Sequence, residues 1–412
     1  MLNRRTHRSI IPSSEIRTRK LATDLPGLQL HVARPEIPAT EEQAVIQAQP
    51  KPARLLSLDA FRGLTIALML LVNNIAVNTA TPVQLQHAAW AQAIHLADLV
   101  FPWFLFCVGV AIPFAVASFQ RKVQPSWRYD LKVLGRTAAL LLLGILLDSS
   151  TAKHPTFSLG VLQIIALAYL IGALLYGLPL FRRMLIAGLM LVGYWAAIKF
   201  ITVPGGAGAF GETHNLVLYL NQNLFGGFKI GPFELSLWGL PSVVPTAALV
   251  LIGTAVGDLL RHRDMKVLAR ALSLLAVSLV LTGAGILWSF SLLLSKTIWT
   301  PSYILVCAGT GTLLLGLFYL LLDVRGWRWW AFPLLVLGAN AILAYVAPIL
   351  VKVTVLQSWH ITTGVTLEQW AMTGLVARFG AIRGGWLYTL AYMLGWWVIL
   401  WQLYRRKIFL RV

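Results

Sequence analysis

Histidine, asparagine and carboxylate side chains flank the first two long apolar stretches of this chain. Asn73 lies near the end of the first stretch, and His87, His95 and Asp98 precede or open the second. A histidine that titrates near neutral pH can take a proton from an attacking amine or hydroxyl, which is what acyl transfer requires of a general base. Histidines at a membrane interface are also common without a function, and adjacent asparagines often cap a helix. The residue types alone therefore leave both interpretations open.

A second polar group opens the first apolar stretch. Asp59 and Arg62 are three residues apart and share one face of the expected helix. Asn73 lies eleven residues beyond Arg62, about 17 Å along a helix, and therefore near its other end. Arg62 could pair with Asp59, extend to anionic headgroups, or meet the phosphates of a nucleotide-bearing donor. Spacing does not separate these roles.

Signatures of soluble enzymes and of metal sites are absent from the sequence. His87 and His95 are eight apart without a His-x-x-x-His or cysteine partner, so we expect no metal. Cys107 and Cys307 lie inside apolar stretches, where packing explains them better than a disulfide or a thiolate site. No Gly-x-x-x-x-Gly-Lys loop or Gly-x-Ser-x-Gly elbow occurs.

The elements that must position these residues are membrane helices. The 412 residues are 58% hydrophobic and 12% charged, with a mean hydropathy of +0.73, which excludes an ordinary soluble protein. The sequence predicts an all-α, polytopic transmembrane helix bundle of about ten spans. The predicted spans cover residues 58–77, 97–118, 131–148, 159–177, 184–201, 239–260, 269–290, 301–322, 331–351 and 385–404.

The positive charges indicate orientation and not nucleic-acid binding, although the net charge is +19. Residues 1–53 form a basic tail that we expect to be disordered and cytoplasmic, followed by a membrane domain over 54–412. Every second connection between the predicted spans is basic, which predicts that both termini are cytoplasmic. This count requires residues 361–380 to be an interfacial or re-entrant helix and not a span. The gaps on that side contain Arg121, Lys122, Arg128, Lys132, Arg182, Arg183, Arg261, Arg263, Lys266, Arg325 and Arg328.

Several blocks of the membrane region resemble a known family. They are Arg54-Leu-Leu-Ser-Leu-Asp-Ala-Phe-Arg-Gly63, His87-Ala-Ala-Trp90, Ala97-Asp-Leu-Val-Phe-Pro-Trp-Phe104, Trp299-Thr-Pro-Ser-Tyr303, Gly338-Ala-Asn-Ala-Ile342 and the closing Lys407-Ile-Phe-Leu-Arg-Val412. In these blocks the chain resembles heparan-alpha-glucosaminide N-acetyltransferase and its bacterial relatives in the transmembrane acyltransferase superfamily.

The resemblance implies a donor, acetyl-CoA, bound from the cytoplasm and an amino-sugar or other glycan acceptor reached from the periplasm. The family's catalytic histidine falls on His87 and its partner asparagine on Asn73. The resemblance also suggests a homodimer among the membrane lipids of a bacterial inner membrane. By position, we expect donor contacts from Asp59, Arg62 and Arg136, and acceptor contacts from Trp90, His95, Asp98, Trp103 and Asn340.

Three alternatives stay open at this stage. His87 and Asp98 are separated by one residue more than is usual in the family, so His95 could serve as the base instead of His87. His87 could act as a general base or carry the acetyl group transiently. A membrane transporter or flippase would also combine a helix bundle with polar groups inside it.

Overall fold

The computed structural model describes residues 55–77, 80–121, 125–204, 210–262 and 264–410. The predicted basic tail, residues 1–53, lies outside this range. Most of the described residues are helical. The helices are α1 (Leu56–Val72), α2 (Leu96–Gln120), α3 (Ser126–Ala152), α4 (Val161–Leu175), α5 (Leu180–Phe200), α6 (Leu216–Asn223), α7 (Val243–Arg261), α8 (Val267–Ser289), α9 (Pro301–Phe318), α10 (Phe332–Ala339), α11 (Ala341–Val351), α12 (Leu367–Phe379) and α13 (Ala381–Arg405).

Small β-structures lie in the connections between helices. Strand β1 (Thr156–Phe157) pairs in parallel with β3 (Phe233–Ser236), which pairs in antiparallel with β2 (Gly227–Ile230). This sheet ties the α3–α4 connection to the long connection before α7. A second hairpin consists of β4 (His360–Thr362) and β5 (Val365–Thr366). Among the described residues these strands are short, so the predicted all-α class holds for the bundle itself.

Every predicted apolar span overlaps a helix, but the count of ten spans is not confirmed. Within the described ranges, five helices are long and apolar enough to cross a membrane alone, and one bent pair makes a sixth. Helix α1 has 17 residues and α4 only 15, short of the roughly 20 that a span needs. The five are Leu96–Gln120, Leu180–Phe200, Leu240–Arg261, Val267–Ser289 and Pro301–Val324. The chain is therefore a membrane protein.

The bent pair is a helix broken at Asn340. Residues Trp329–Ala339 and Ala341–Leu356 meet at 68°. Hydropathy cannot show this break, because the apolar run continues across it. Broken helices at membrane depth are tolerated where protein or a cavity satisfies the freed backbone groups.

Helices α1 and α10 pack backbone to backbone. A Cβ placed on Gly63 would lie 1.9 Å from the Leu334 carbonyl oxygen, and one on Gly338 would lie 2.0 Å from the Asp59 carbonyl oxygen. Small residues allow such contact between membrane helices. The contact brings the start of α1 to the break between α10 and α11. The first turn of α1 is also held by the segment that follows α9, because the Ser57 backbone N–H donates to Asp323 Oδ2 at 3.1 Å.

Residues 361–380 form the hairpin strands and α12, which has 13 residues. The helix begins with a capping box, since Thr366 Oγ1 accepts from the Gln369 backbone N–H at 3.2 Å and Gln369 Oε1 accepts from the Thr366 N–H at 3.0 Å. At 1.5 Å per residue, α12 is about 20 Å long, which is short for a span. That it is interfacial or re-entrant stays a prediction.

Candidate active site

The His87 imidazole is held by Asp98. Asp98 lies in the first turn of α2 and is 3% exposed, and its Oδ1 is 2.7 Å from His87 Nδ1. Its Oδ2 accepts the backbone N–H groups of Ala88 at 3.0 Å and His95 at 3.3 Å. A carboxylate facing Nδ1 selects the tautomer that carries a proton there, which leaves Nε2 as the basic nitrogen. Nε2 makes no hydrogen bond to any described residue, and the His87 side chain is 59% exposed.

Lys296 completes this polar group from a distant part of the chain. It lies in the connection between α8 and α9, with its Nζ 3.2 Å from His87 Nδ1 and 3.7 Å from Asp98 Oδ1. With the Nδ1 proton directed at Asp98, the Lys296 ammonium pairs with the carboxylate and not with the ring nitrogen. Burial lowers the pKa of Lys296 below its usual value, and the Asp98 carboxylate partly opposes this shift. With a neutral imidazole, the formal charges of Lys296 and Asp98 cancel. The three side chains therefore form an electrically balanced group.

Aromatic residues fix the helices around this group. Tyr303 of α9 is fully buried, and its hydroxyl donates to the Asp98 backbone carbonyl at 2.6 Å. Trp299 makes edge contacts with Phe101 and Tyr303, with ring centroids 5.5 and 5.8 Å apart. These contacts join the start of α2 to the start of α9, and so keep Lys296 beside His87.

His87 and Asn73 line one cavity of about 340 Å³, which we call the histidine cavity. Asn73 ends α1, and its side chain is exposed, whereas the buried Asn74 side chain donates back to the Leu70 carbonyl at 2.8 Å. The two neighbours thus point to different surroundings, as their positions on a helix require. Most of the remaining lining is apolar. It includes Met69, Val100, Phe101, Ile164, Trp299 and Tyr345.

Two further cavities adjoin the histidine cavity. One, of about 300 Å³, shares His87, Lys296 and Trp299 with it and is also lined by Trp90. The other, of about 570 Å³, shares Asn73 and Tyr345 and is lined by Asp148 and Lys352; we call it the aspartate cavity. The three together form a recess at one end of the bundle.

A separate cavity surrounds the arginine residues at the other end of α1. This arginine cavity, of about 270 Å³, is lined by Arg62 and Arg136. Arg62 Nη2 is 2.8 Å from Asp59 Oδ1 and 2.6 Å from the Gly338 carbonyl oxygen, which the helix break leaves available. The Arg136 guanidinium lies 4.5 Å from the centre of the Tyr169 ring, and its buried Nε has no partner within the described chain. The cavity therefore offers positive charge to an anionic ligand.

Only a thin layer separates the arginine and histidine cavities. Both are lined by α1, α2, α4 and α11. On α2, α4 and α11, a residue that lines one cavity is only one to three positions from a residue that lines the other. This spacing corresponds to at most about 5 Å along the helix axis. The paired residues, with the arginine cavity first, are Phe104 and Phe101, Ile165 and Ile164, and Ile342 and Tyr345.

Sequence comparison identifies the family. Residues 54–292 match the family described as heparan-alpha-glucosaminide N-acetyltransferase, catalytic. The chain belongs to this family. Human heparan-alpha-glucosaminide N-acetyltransferase is 26% identical over 359 residues, covering 72% of this chain and 52% of the human protein. The mouse protein of the same name is 24% identical over 357 residues, covering 71% and 53%. The chain thus spans about half the length of these curated relatives.

In this member of the N-acetyltransferase family, the recess is lined by His87, Asn73, Trp90 and Asp98. The separate arginine cavity is lined by Arg62 and Arg136, and Asp59 forms an ion pair with Arg62. His95 differs from His87. Its backbone N–H donates to Asp98, while its ring Nδ1 lies 3.0 Å from the Gln86 carbonyl oxygen. The Asp98 carboxylate thus faces the ring of His87 but only the backbone of His95.

Two predicted acceptor contacts are corrected. Trp103 is 5% exposed, and its Nε1 donates to Thr310 Oγ1 at 3.0 Å, so it belongs to the core between α2 and α9 and has no face for a sugar. Asn340 is 1% exposed; its Nδ2 donates to the Ile408 carbonyl at 3.0 Å, and its Oδ1 accepts the Leu410 N–H at 2.9 Å. Its amide therefore fixes the C-terminal segment at the helix break.

Sequence reasoning missed Lys296 and Asp148 as site residues. Lys296 is 209 residues from His87 in the chain. Its only signal in the sequence was its positive charge, because the connections on that side of the predicted bundle contain few lysines or arginines. Asp148 lies at the end of an apolar run. A carboxylate is energetically costly within a membrane span, so its presence there suggests a binding partner.

Proposed function

We propose that this protein is a membrane-integral acyltransferase that moves an acetyl group from cytoplasmic acetyl-CoA to an amino sugar or other glycan on the periplasmic side. The observation that carries the proposal is a pair of neighbouring cavities lined by the same helices, with guanidinium groups in one and both His87 and Asn73 in the other. Family membership supports it, because the relatives are named N-acetyltransferases.

The arginine cavity is the proposed donor site. Acetyl-CoA carries phosphates, which guanidinium groups bind with charge-assisted hydrogen bonds. Arg136 has a buried Nε to spare within the described residues, and Arg62 is kept in place by Asp59 and the Gly338 carbonyl. The acetyl end then has to pass only the thin layer between the two cavities.

The histidine cavity is the proposed site of transfer. The acceptor amine attacks the acetyl carbonyl carbon and gives a proton to His87 Nε2, the carbon–sulfur bond breaks, and His87 returns the proton to the departing thiolate. Asp98 orients the imidazole and balances its charge when it is protonated, and the Asn73 amide can donate to the developing oxyanion. Alternatively, Nε2 attacks first and carries the acetyl group to the amine. Both schemes use the same residues.

The positive charges in the sequence support a proposed orientation. Arg62 lies at the end of α1 that follows the basic residues 1–53, so the donor cavity faces the side on which Lys and Arg are retained. We accordingly propose a bacterial inner membrane, both termini in the cytoplasm and the His87 recess open to the periplasm. The homodimer implied by the resemblance remains a prediction.

The test is acetyl transfer by purified protein in liposomes. With labelled acetyl-CoA and glucosamine, we expect N-acetylglucosamine from wild type, none from His87→Ala and near-normal yield from His95→Ala. Acetyl-CoA should raise the unfolding temperature of wild type and of His87→Ala, because a ligand that binds the folded state stabilises it. No product and no stabilisation would refute the proposal. Uptake of unmodified glucosamine would support the transporter alternative.

A further inference from the structure

Asp148 presents an oriented carboxylate to the recess. It lies near the end of α3, and its Oδ2 accepts from Ser158 Oγ at 2.6 Å and from Gln163 Nε2 at 2.7 Å. Gln163 is 1% exposed, so this donor is fixed by packing. Oδ1 accepts no hydrogen bond within the described part of the chain. One oxygen is therefore used to hold the group, and the other is left for a ligand.

The free oxygen lies where two cavities meet. Asp148 lines the aspartate cavity together with Asn73 and Tyr345, which also line the histidine cavity. Gly160 lines the histidine cavity, and a Cβ placed on it would be only 3.1 Å from Asp148 Oδ1. A ligand atom bound to Oδ1 would thus stand beside the cavity that contains His87.

The charge of Asp148 has no counter-ion among the described residues. The other charged group lining the aspartate cavity is Lys352, whose Nζ is 3.8 Å from Glu368 Oε1 and 3.4 Å from the Asn73 carbonyl oxygen. Lys352 is therefore already paired. The two hydrogen bonds to Oδ2 offset only part of the cost of burying this carboxylate, and a cationic ligand at Oδ1 would offset more of it.

We propose that Asp148 binds the amino group of the acceptor as an ammonium ion and so selects amines over hydroxyl acceptors. This inference rests on the proposed function and adds the acceptor contact to it. The ammonium binds to Oδ1 at the cavity boundary and releases one proton to solvent, which leaves a neutral amine. This amine then attacks the acetyl carbon and gives its second proton to His87 Nε2. No bond to Asp148 forms or breaks, so Asp148 is a binding residue.

The test measures kcat and KM for glucosamine at saturating acetyl-CoA. We expect Asp148→Asn to raise KM about ten-fold or more, the factor typical of a hydrogen bond to a charged group, while kcat changes less than about three-fold. Asp148→Glu should recover part of the loss. The control is Asp130→Asn, an exposed carboxylate at the other end of α3, which should leave KM unchanged.

A purely structural role for Asp148 makes a different prediction. Ser158→Ala removes one hydrogen bond of the same network and keeps the charge, so KM should rise far less than in Asp148→Asn if the charge binds the amine. Equal effects of the two variants, or an unchanged KM in Asp148→Asn, would overturn the inference. A wild-type protein that does not acetylate glucosamine at all would instead count against the proposed function. Retained stabilisation by acetyl-CoA shows that each variant is folded.

Discussion

Replacing Asp98 by asparagine should disable His87 by reversing its tautomer. In the wild type, Oδ2 accepts two backbone N–H groups, at 3.0 and 3.3 Å, and Oδ1 faces His87 Nδ1 at 2.7 Å. An asparagine amide has one oxygen, and the two backbone donors hold it on their side. Its NH₂ group then points at Nδ1, which must become the acceptor. The proton moves to Nε2, the nitrogen that has to be basic.

The expected loss follows from the role of the base. General base catalysis contributes about 100-fold to 10,000-fold, and an imidazole held in the wrong tautomer forfeits that contribution. We therefore expect kcat of Asp98→Asn to fall by about two to four orders of magnitude. Acetyl-CoA binding should be unaffected, because the arginine cavity, the proposed donor site, is lined by other residues.

The assay is steady-state acetylation of glucosamine, with acetyl-CoA thermal shift as the measure of a folded donor site. Asp264→Asn, an exposed carboxylate after α7, provides a matched change of charge that should have no effect. The reasoning would be refuted if Asp98→Asn retained more than about a tenth of the wild-type kcat, or if His95→Ala lost activity in its place.

Three further predictions concern packing, donor binding and pH. Gly338→Ala should lower the unfolding temperature, since its Cβ would meet the Asp59 carbonyl at 2.0 Å and overpacking costs about 1–3 kcal/mol; Gly395→Ala, with open space around it, should not. Arg62→Ala and Arg136→Ala should each reduce stabilisation by acetyl-CoA, whereas equal shifts in wild type and both variants would contradict the donor site. Because the pKa of Lys296 is lowered in the folded protein, the unfolded chain binds more protons than the folded chain at pH values just below the ordinary lysine pKa. Lys296 therefore makes the free energy of unfolding rise with pH in this alkaline range. The unfolding temperature of Lys296→Met should rise less steeply with pH than that of wild type. An identical slope in the two proteins would rule out this contribution.

The sequence itself determined the class of protein and the local part of the site. Long apolar runs predict membrane helices because the bilayer leaves backbone groups no other partner, and all ten runs overlap helices in the structure. Asp98 is eleven residues from His87, so the first turn of α2 and the preceding loop can bring them together with little help from the rest of the fold. Asp59 and Arg62, three apart on one helix, form their ion pair for the same reason.

Only the tertiary structure decided which distant residues join that local frame. Lys296 reaches His87 because α9 packs on α2, and Asp148 reaches the recess because α3 ends beside the start of α4. The break at Asn340 likewise depends on the C-terminal segment that its amide binds, 68 and 70 residues away. Hydropathy reports how well a residue suits the bilayer and carries no information on which helix faces which. That choice comes from close contacts such as Gly63 against α10, which place the two cavities along the same helices.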